Sequence, residues 1–184
     1  MISGRRHRSA SSVKFDPDKH HRRSIRLGDY DYSRPGAYFV TICIKDRECL
    51  LGEVTDGDMR LNDIGRAVQM EWVRLPERFQ SAELDEFVIM PNHLHGIIHV
   101  GAPFMAPDEP GAINRAPTLG EMVRTFKAVS THAIRRSRTS FQWQRNYYEH
   151  IIRNEHELAL TREYIVNNPA QWALDRENPN GVGA

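Results

Sequence analysis

The stretch HLHGIIHV, residues 93–100, decides the fold because its side chains alternate in chemistry along an extended chain. Successive side chains of a strand point to opposite faces of a sheet. One face is apolar and carries Leu94, Gly96, Ile98 and Val100. The other face carries His93, His95, Ile97 and His99. Residues 83–90, ELDEFVIM, precede this stretch across the turn dipeptide Pro91-Asn92, so the two segments predict neighbouring strands.

Further elements surround this pair of strands. Residues 37–45, AYFVTICIK, are β-branched and aromatic on both faces, which predicts a central strand. Asp56-Gly57 between two short extended pieces predicts a hairpin. Helices are predicted from Asn62 or Asp63 to Pro76, from Thr118 to about Arg138 and from Asn154 to Asn168, with a strand over residues 141–152. This order predicts an α+β fold, a ferredoxin-like sandwich with an antiparallel sheet and helices packed on it.

Length and composition exclude several classes of protein. The chain has 184 residues, a net charge of +1 and 40% hydrophobic residues. No apolar run approaches the roughly 18 residues of a membrane helix, and none follows the N-terminal charges as in a signal peptide. We therefore expect a cytoplasmic protein without a membrane partner. Neither Cys43 nor Cys49 belongs to a C-x-x-C pair, which argues against a disulfide scaffold or a structural zinc cluster.

Charge and proline content divide the chain. Residues 1–30 hold eight basic against three acidic side chains without apolar periodicity, which predicts a flexible basic arm. Residues 31–175 form the predicted single domain, in which the Pro- and Gly-rich residues 101–117 are expected to form a mobile loop. Residues 176–184 are the expected C-terminal tail.

The helix predicted from Thr118 has two contrasting faces. Its apolar positions are Leu119, Met122, Val123, Phe126, Val129 and Ala133. The opposite face carries Arg124, Lys127, Arg135 and Arg138. Residues 122–145 hold six basic side chains and no acidic ones, which predicts a ridge that binds the phosphates of a polyanion. Solvated surface charge without a partner is the alternative.

Two groups of residues predict chemistry. His93 and His95 point to the same face of their strand, and neutral imidazoles at that spacing can supply two ligands to one metal ion. Ordinary hydrogen-bonded histidines beside a sheet are the alternative. Tyr164 and Asn168 lie four residues apart on one face of the last helix. A phenol can act as a nucleophile and an amide oxygen can bind a hard metal, whereas an isolated tyrosine of this kind more often packs at the core boundary.

Three motifs together resemble a known family. VIMPNHLHGIIH (residues 88–99), WQRNYYEHIIRN (143–154) and REYIVNNPAQW (162–172) look like the REP-associated tyrosine transposases, relatives of the single-tyrosine HUH transposases of bacterial insertion sequences. The resemblance covers about residues 20 to 175. It implies that His93 and His95 are the metal ligands, that Tyr164 is the nucleophile and that Asn168 stands at the third metal-ligand position.

The resemblance also implies an activity. Such an enzyme uses Mg²⁺ or Mn²⁺ to cleave and rejoin single-stranded or hairpin DNA at palindromic repeats, through a 5′-phosphotyrosine and a free 3′-hydroxyl. We expect a monomer, with a dimer as the alternative. A DNA-binding protein that keeps the fold but lacks the chemistry is the first rival, and a metal-dependent hydrolase of small phosphoesters is the second.

Other residues of the motifs have weaker claims. His99 lies ~13 Å beyond His95 along an extended strand, too far to share one ion. His150 fits either a structural hydrogen bond or a DNA contact. Tyr147 and Tyr148 are rival nucleophiles, but base stacking or core packing suits them better.

Overall fold

A computed structural model describes residues 35–101, 117–136 and 140–181 of the chain. The predicted arm (residues 1–30), nearly all of the predicted loop (residues 101–117) and Arg138 of the predicted basic ridge lie outside these residues, and so do the last three residues of the predicted tail.

An antiparallel sheet of four strands organises the described residues. Its strands are β1 (Gly36–Cys43), β4 (Ala82–Ile89), β5 (His93–Val100) and β6 (Tyr148–Ile152), in the spatial order β4-β5-β1-β6. Helices α1 (Asp63–Val73) and α3 (Leu119–Arg135) follow β1 and β5 along the chain, so the elements run β-α-β-β-α-β. This order and strand arrangement confirm the predicted α+β, ferredoxin-like sandwich.

Smaller elements complete the domain. The hairpin β2 (Gly52–Thr55) and β3 (Asp58–Leu61) turns at Asp56-Gly57, where both residues have positive φ, as a two-residue hairpin turn requires. The short helix α2 (Leu75–Arg78) follows α1. Helix α4 (Glu155–Asn167) continues into a 3₁₀ helix at Pro169–Leu174. Local signals set these limits, since the side chains of Asn62 and Asn154 cap α1 and α4.

One face of the sheet forms the main core. Tyr38, Val40 and Ile42 of β1 lie beside Leu94 and Ile98 of β5, and all are fully buried under α1 and α3. Gly96 lies in this face because a Cβ atom there would come within 2.5 Å of the Trp72 ring. A glycine in the middle of β5 therefore makes room for the largest side chain of the core.

The other face of the sheet is covered by α4. Ile97 and Ile152 from the sheet and Leu158 and Ile165 from α4 form a second, small apolar cluster. The alternation predicted for β5 is confirmed: Leu94, Ile98 and Val100 belong to the main core and Ile97 to the second cluster. The sequence did not indicate that α4 packs on the opposite side from α1 and α3.

Two details differ from the sequence predictions. The strand expected over residues 141–152 is limited to β6, because the bridge between Trp143 and Ile44, the residue after β1, is isolated and does not extend the ladder. On α3 the buried positions include Ser130 and Ile134 rather than Val129 and Ala133, which turns the buried face toward Lys127. Lys127 is thus half-buried at the border of the apolar face and not opposite to it.

Candidate active site

Strand β5 places two histidines side by side beneath α4. His93 and His95 are buried, and their Nε2 atoms lie 3.0 Å apart. Thr41, the neighbour of His95 on β1, places its hydroxyl 2.9 Å from His95 Nδ1. The period of two along β5 therefore brings both imidazoles to one point of the sheet.

A hydrogen-bond chain fixes the tautomer of His93. The Asn92 amide nitrogen donates to the backbone carbonyls of Arg47 and Glu177, so its oxygen faces the imidazole. His93 Nδ1 lies 2.8 Å from that oxygen and must be the donor. The lone pair of the neutral ring is consequently on Nε2, the atom that faces His95.

Burial keeps both rings neutral. It lowers the pKa of His93 to about 3 and lowers that of His95 well below the ordinary value. Neutral imidazole is the form that binds a metal. Two nitrogens held by one ion at ~2.1 Å and at a right angle lie about 3 Å apart, which matches the observed separation, so the donor pair fits a divalent ion.

Asp175 supplies a carboxylate to the same point. One ligand atom of each of His93, His95 and Asp175 lies within 4.8 Å of the others, and Asp175 Oδ2 is 3.9 Å from His93 Nε2. The Glu177 backbone N–H donates to Asp175 Oδ1 and orients the carboxylate. Sequence reasoning missed Asp175, because it lies beyond the 3₁₀ helix and no local spacing relates it to the histidines.

Asn168, the predicted third ligand, ends α4 next to this carboxylate. It is buried, and its Nδ2 donates to Asp175 Oδ2 over 3.1 Å. Its Oδ1 is buried without a hydrogen-bond partner among the described residues. An unpaired buried acceptor costs stability unless something binds it, so this oxygen is also suited to a cation.

Tyr164 brings its phenol to the histidines from α4. Its Oη lies 3.2 Å from His95 Nε2, and the residue is 43% exposed. Burial, together with the nearby Asp175 carboxylate, raises the pKa of the phenol. The phenol is therefore protonated at neutral pH and faces both the imidazole pair and the solvent.

A cleft of about 430 Å³ opens in front of the phenol. Its walls include His95, Tyr164 and Asp175 together with the rival tyrosines Tyr147 and Tyr148. Tyr148 is half-exposed, and Tyr147 lies under the Lys127 ammonium, 5.5 Å from the ring centre to Nζ. Of these three tyrosines, Tyr164 has its hydroxyl 3.2 Å from His95 Nε2.

The two remaining histidines of the motifs have carboxylate partners. His99 Nε2 lies 2.9 Å from Asp85 Oδ2, on the same face of β5 as the pair but at its far end. His150 Nε2 lies 2.5 Å from Glu157 Oε1 and connects β6 to α4. Neither belongs to the cluster of His93, His95 and Asp175.

Known proteins resemble the chain in sequence and in fold. No protein-family profile matches it. A Haemophilus influenzae protein named only as uncharacterized is 43% identical over 175 residues, covering 90% of this chain and 97% of that protein. A second protein of that organism, provisionally named a REP-associated tyrosine transposase, is 26% identical over 145 residues, covering 77% of this chain and 74% of its own length. In sequence, the chain is thus similar to a REP-associated tyrosine transposase.

A solved structure shares the fold of this chain. It is described as the REP-associated tyrosine transposase bound to a REP hairpin, and it superposes with a TM-score of 0.54 at 20% identity over 80% of this chain and 74% of that one. The resemblance carried by the three motifs is thus confirmed. The individual roles of Tyr164, His93, His95 and Asn168 stay predictions, now with a geometry that brings them together.

The basic ridge on α3 is only partly available to a partner. Arg124 is exposed on α3. Lys127 donates to the carbonyls of Gln144 and Asn146, and burial lowers its pKa to about 8. Arg135 is exposed, but its Nε donates to the Phe141 carbonyl. Binding of phosphate by this ridge stays a prediction, and Arg124 has the clearest exposure for it.

Within residues 35–101, 117–136 and 140–181, none of the helices has both the length and the apolar character that crossing a bilayer requires.

Proposed function

We propose that this protein cleaves and rejoins one strand of DNA through a covalent bond to Tyr164. The observation that carries the proposal is the 3.2 Å contact between Tyr164 Oη and His95 Nε2, within a buried set of metal-ligating atoms. Two family features support it: the name of the 26%-identical relative and the REP hairpin bound by the solved neighbour. We infer that the substrate is a single strand that carries the hairpin of a palindromic repeat.

His93 and His95 would hold a divalent ion, Mg²⁺ or Mn²⁺, with Asp175 or the Asn168 oxygen as the third ligand. The neutral imidazoles, the carboxylate and the unpaired amide oxygen form a donor set that such an ion accepts. When bound, the ion would withdraw charge from the non-bridging oxygens of the scissile phosphate. Asn92 and Thr41 hold the two imidazoles in place for this purpose.

Tyr164 would carry out the covalent step. Its oxygen attacks phosphorus, the bond from phosphorus to the 3′ oxygen breaks, and the products are a 5′-phosphotyrosine and a free 3′-hydroxyl. The phenol loses one proton and the 3′ oxygen gains one, so the step neither consumes nor releases a proton overall. Attack by a 3′-hydroxyl reverses the step and rejoins the strand. A free phenol has a pKa of ~10, so only about one molecule in a thousand is ionised at pH 7, and burial makes that fraction smaller here.

The test is a covalent adduct. The full chain is incubated with Mg²⁺ and a single-stranded hairpin oligonucleotide from the flanks of its own gene, and the products are separated on a denaturing gel. We expect a protein–DNA adduct that mass spectrometry locates on Tyr164. Tyr164→Phe should abolish it, because the hydroxyl is the nucleophile and its removal changes packing little.

Tyr148→Phe is the matched control, since Tyr148 lines the same cleft. It should keep the adduct. An adduct on a peptide of residues 146–153 would refute the choice of Tyr164. Hairpin binding without cleavage would support a non-catalytic DNA-binding protein, and hydrolysis without an adduct would support a phosphoester hydrolase.

A further inference from the structure

The attachment of α4 to the sheet depends on few apolar contacts. Of the 13 residues of α4, Leu158 and Ile165 are buried. By contrast, α3 buries seven of its 17 residues. A helix with so little apolar contact is poorly fixed against rotation about its axis, since hydrophobic contact is non-directional. Something else must determine where Tyr164 points.

A partly buried carboxylate on β4 supplies a directional contact. Arg162 donates to Asp85 through both Nε (2.9 Å) and Nη2 (2.6 Å), and His99 Nε2 lies 2.9 Å from Asp85 Oδ2. The Asp85 side chain is only 12% exposed. The Arg162 guanidinium holds the pKa of Asp85 well below its usual range, so the carboxylate is ionised. A two-point pair of this kind fixes orientation as well as distance. We name Asp85, His99 and Arg162 the Asp85 clamp.

A bulge in β4 lies at Asp85 and affects the direction of its carboxylate. The pairing of β4 with β5 shifts register between Leu84 and Phe87. A bulge changes the direction of a side chain locally. Asp85 lies in this irregular stretch, on the face that α4 covers, while Leu84 and Phe87 pack against the main core.

The clamp and the phenol contact the sheet on opposite flanks of α4. At about 100° per residue, Arg162 and Tyr164 are about 200° apart around the helix, with the buried Leu158 and Ile165 between them. A roll of roughly 10° moves an atom ~6 Å from the axis by about 1 Å. A displacement of about 1 Å in a reacting group can cost about 100-fold in rate.

We propose that Asp85 and Arg162 are positioning residues that set the rotation of α4 and thereby hold Tyr164 at His95. The proposal rests on the proposed function of Tyr164. His99 completes the clamp from β5, the strand that carries the His93–His95 pair. The clamp therefore fixes the position of Tyr164 relative to β5, the strand that also carries His93 and His95.

The kinetic test compares variants of the clamp with a matched pair elsewhere on α4. Single-turnover rate constants of adduct formation are measured with saturating hairpin DNA and Mg²⁺. Asp85→Asn and Arg162→Gln should lower the rate constant 10- to 100-fold with hairpin affinity within about threefold. Arg162→Lys keeps the charge but loses the two-point geometry. Its rate constant should lie between that of Arg162→Gln and that of the unmodified chain. Unfolded molecules would lower the amplitude and not the rate constant, which separates positioning from loss of fold.

Glu157→Gln is the control. Glu157 pairs with His150 from the same helix, but seven residues before Tyr164. Its substitution should leave the rate constant within about threefold of the unmodified chain. Equal losses in Glu157→Gln and Asp85→Asn, or unchanged rate constants in both Asp85→Asn and Arg162→Gln, would overturn the proposal.

A second measurement is independent of activity. In protein labelled with 3-fluorotyrosine, the ¹⁹F resonance of residue 164 is assigned by its absence in Tyr164→Phe. The resonance should shift or broaden in Asp85→Asn and stay in place in Glu157→Gln. An unmoved resonance in Asp85→Asn would overturn the clamp even if no adduct ever formed, whereas an absent adduct in the unmodified chain would count against the proposed function alone.

Discussion

The two faces of the sheet carry side chains of different chemistry, although the same strands form both faces. Toward α1 and α3, β1 and β5 present fully buried apolar side chains such as Val40, Ile42 and Leu94. Toward α4, the same strands present Thr41, His93 and His95, and only a small apolar cluster accompanies them. One face supplies the stabilising burial and the other collects polar groups that cost stability.

The comparison shows how a period of two separates stability from chemistry within one strand. A buried imidazole or an unpaired amide oxygen is unfavourable by itself. A domain can hold such groups when apolar burial elsewhere offsets them. We therefore expect substitutions on the α4 face to change activity more than stability, and substitutions on the other face to do the reverse.

The largest expected effect is on the α4 face. His95→Ala should lower adduct formation by about 100-fold or more and leave hairpin affinity within a few-fold, because it removes a proposed metal ligand while DNA affinity arises mainly from phosphate contacts elsewhere. Adduct gels and binding titrations in Mg²⁺ measure the two quantities. His132→Ala, at an exposed imidazole of α3, is the matched control. Normal cleavage by His95→Ala would contradict the proposal that His95 is a metal ligand.

The next effect belongs to the core face of the same strand. Gly96→Ala should lower the free energy of unfolding by about 3 kcal/mol, because its Cβ would lie 2.5 Å from the fully buried Trp72 ring. Urea unfolding measures this. Gly36→Ala on β1 is the control, since its Cβ would meet nothing nearer than the Tyr38 ring at 3.7 Å. Equal effects of the two substitutions would contradict the tight packing of Trp72 against β5.

A smaller effect appears in the pH dependence of stability. The folded pKa values of His93 and His95 lie below the ordinary 6.5. Below that pH the unfolded chain therefore binds protons that the folded chain does not, and stability falls as pH falls. Between pH 7 and 5 each buried imidazole should account for about 2 kcal/mol of that loss. In metal-free protein, His95→Gln should weaken the pH dependence by that amount, and an unchanged dependence would show that His95 is protonated in the fold.

The features that the sequence predicts correctly are those set by residues close together in the chain. The alternation in residues 93–100 predicts which side chains share a face, and Asn62 and Asn154 predict where two helices begin. Such features depend on neighbours in the chain and are visible without a structure. The juxtaposition of His95 with Tyr164 needed the family resemblance, because the residues are 69 positions apart.

Contacts between distant segments explain what the sequence does not predict. Asp175 reaches the histidines only because the 3₁₀ helix after Pro169 turns the chain back toward β5. Lys127 looks like a phosphate ligand by helical spacing, yet the carbonyls of residues 144 and 146 bind its ammonium. Asp85 depends on a bulge in β4 that no residue pattern marks.

The smallest expected effect asks whether DNA also contacts α3, which covers the core face. Arg124 and Lys127 are both basic residues of α3, but Arg124 is exposed whereas the Lys127 ammonium donates to two carbonyls. If Arg124 neutralises one phosphate of a single strand, Arg124→Gln should lower the slope of log affinity against log salt by ~0.7. A fourfold rise in salt would then weaken binding about 2.6-fold less than in the unmodified chain. Lys127→Gln should leave the slope unchanged, because the Lys127 ammonium already donates to carbonyls within the fold.

Filter-binding titrations between 50 and 200 mM salt measure these slopes, and glutamine is chosen because it preserves the helix. Equal losses of slope in both variants would place the DNA along the whole basic side of α3, and no loss in either would confine the DNA to the α4 face and the segments outside the described residues.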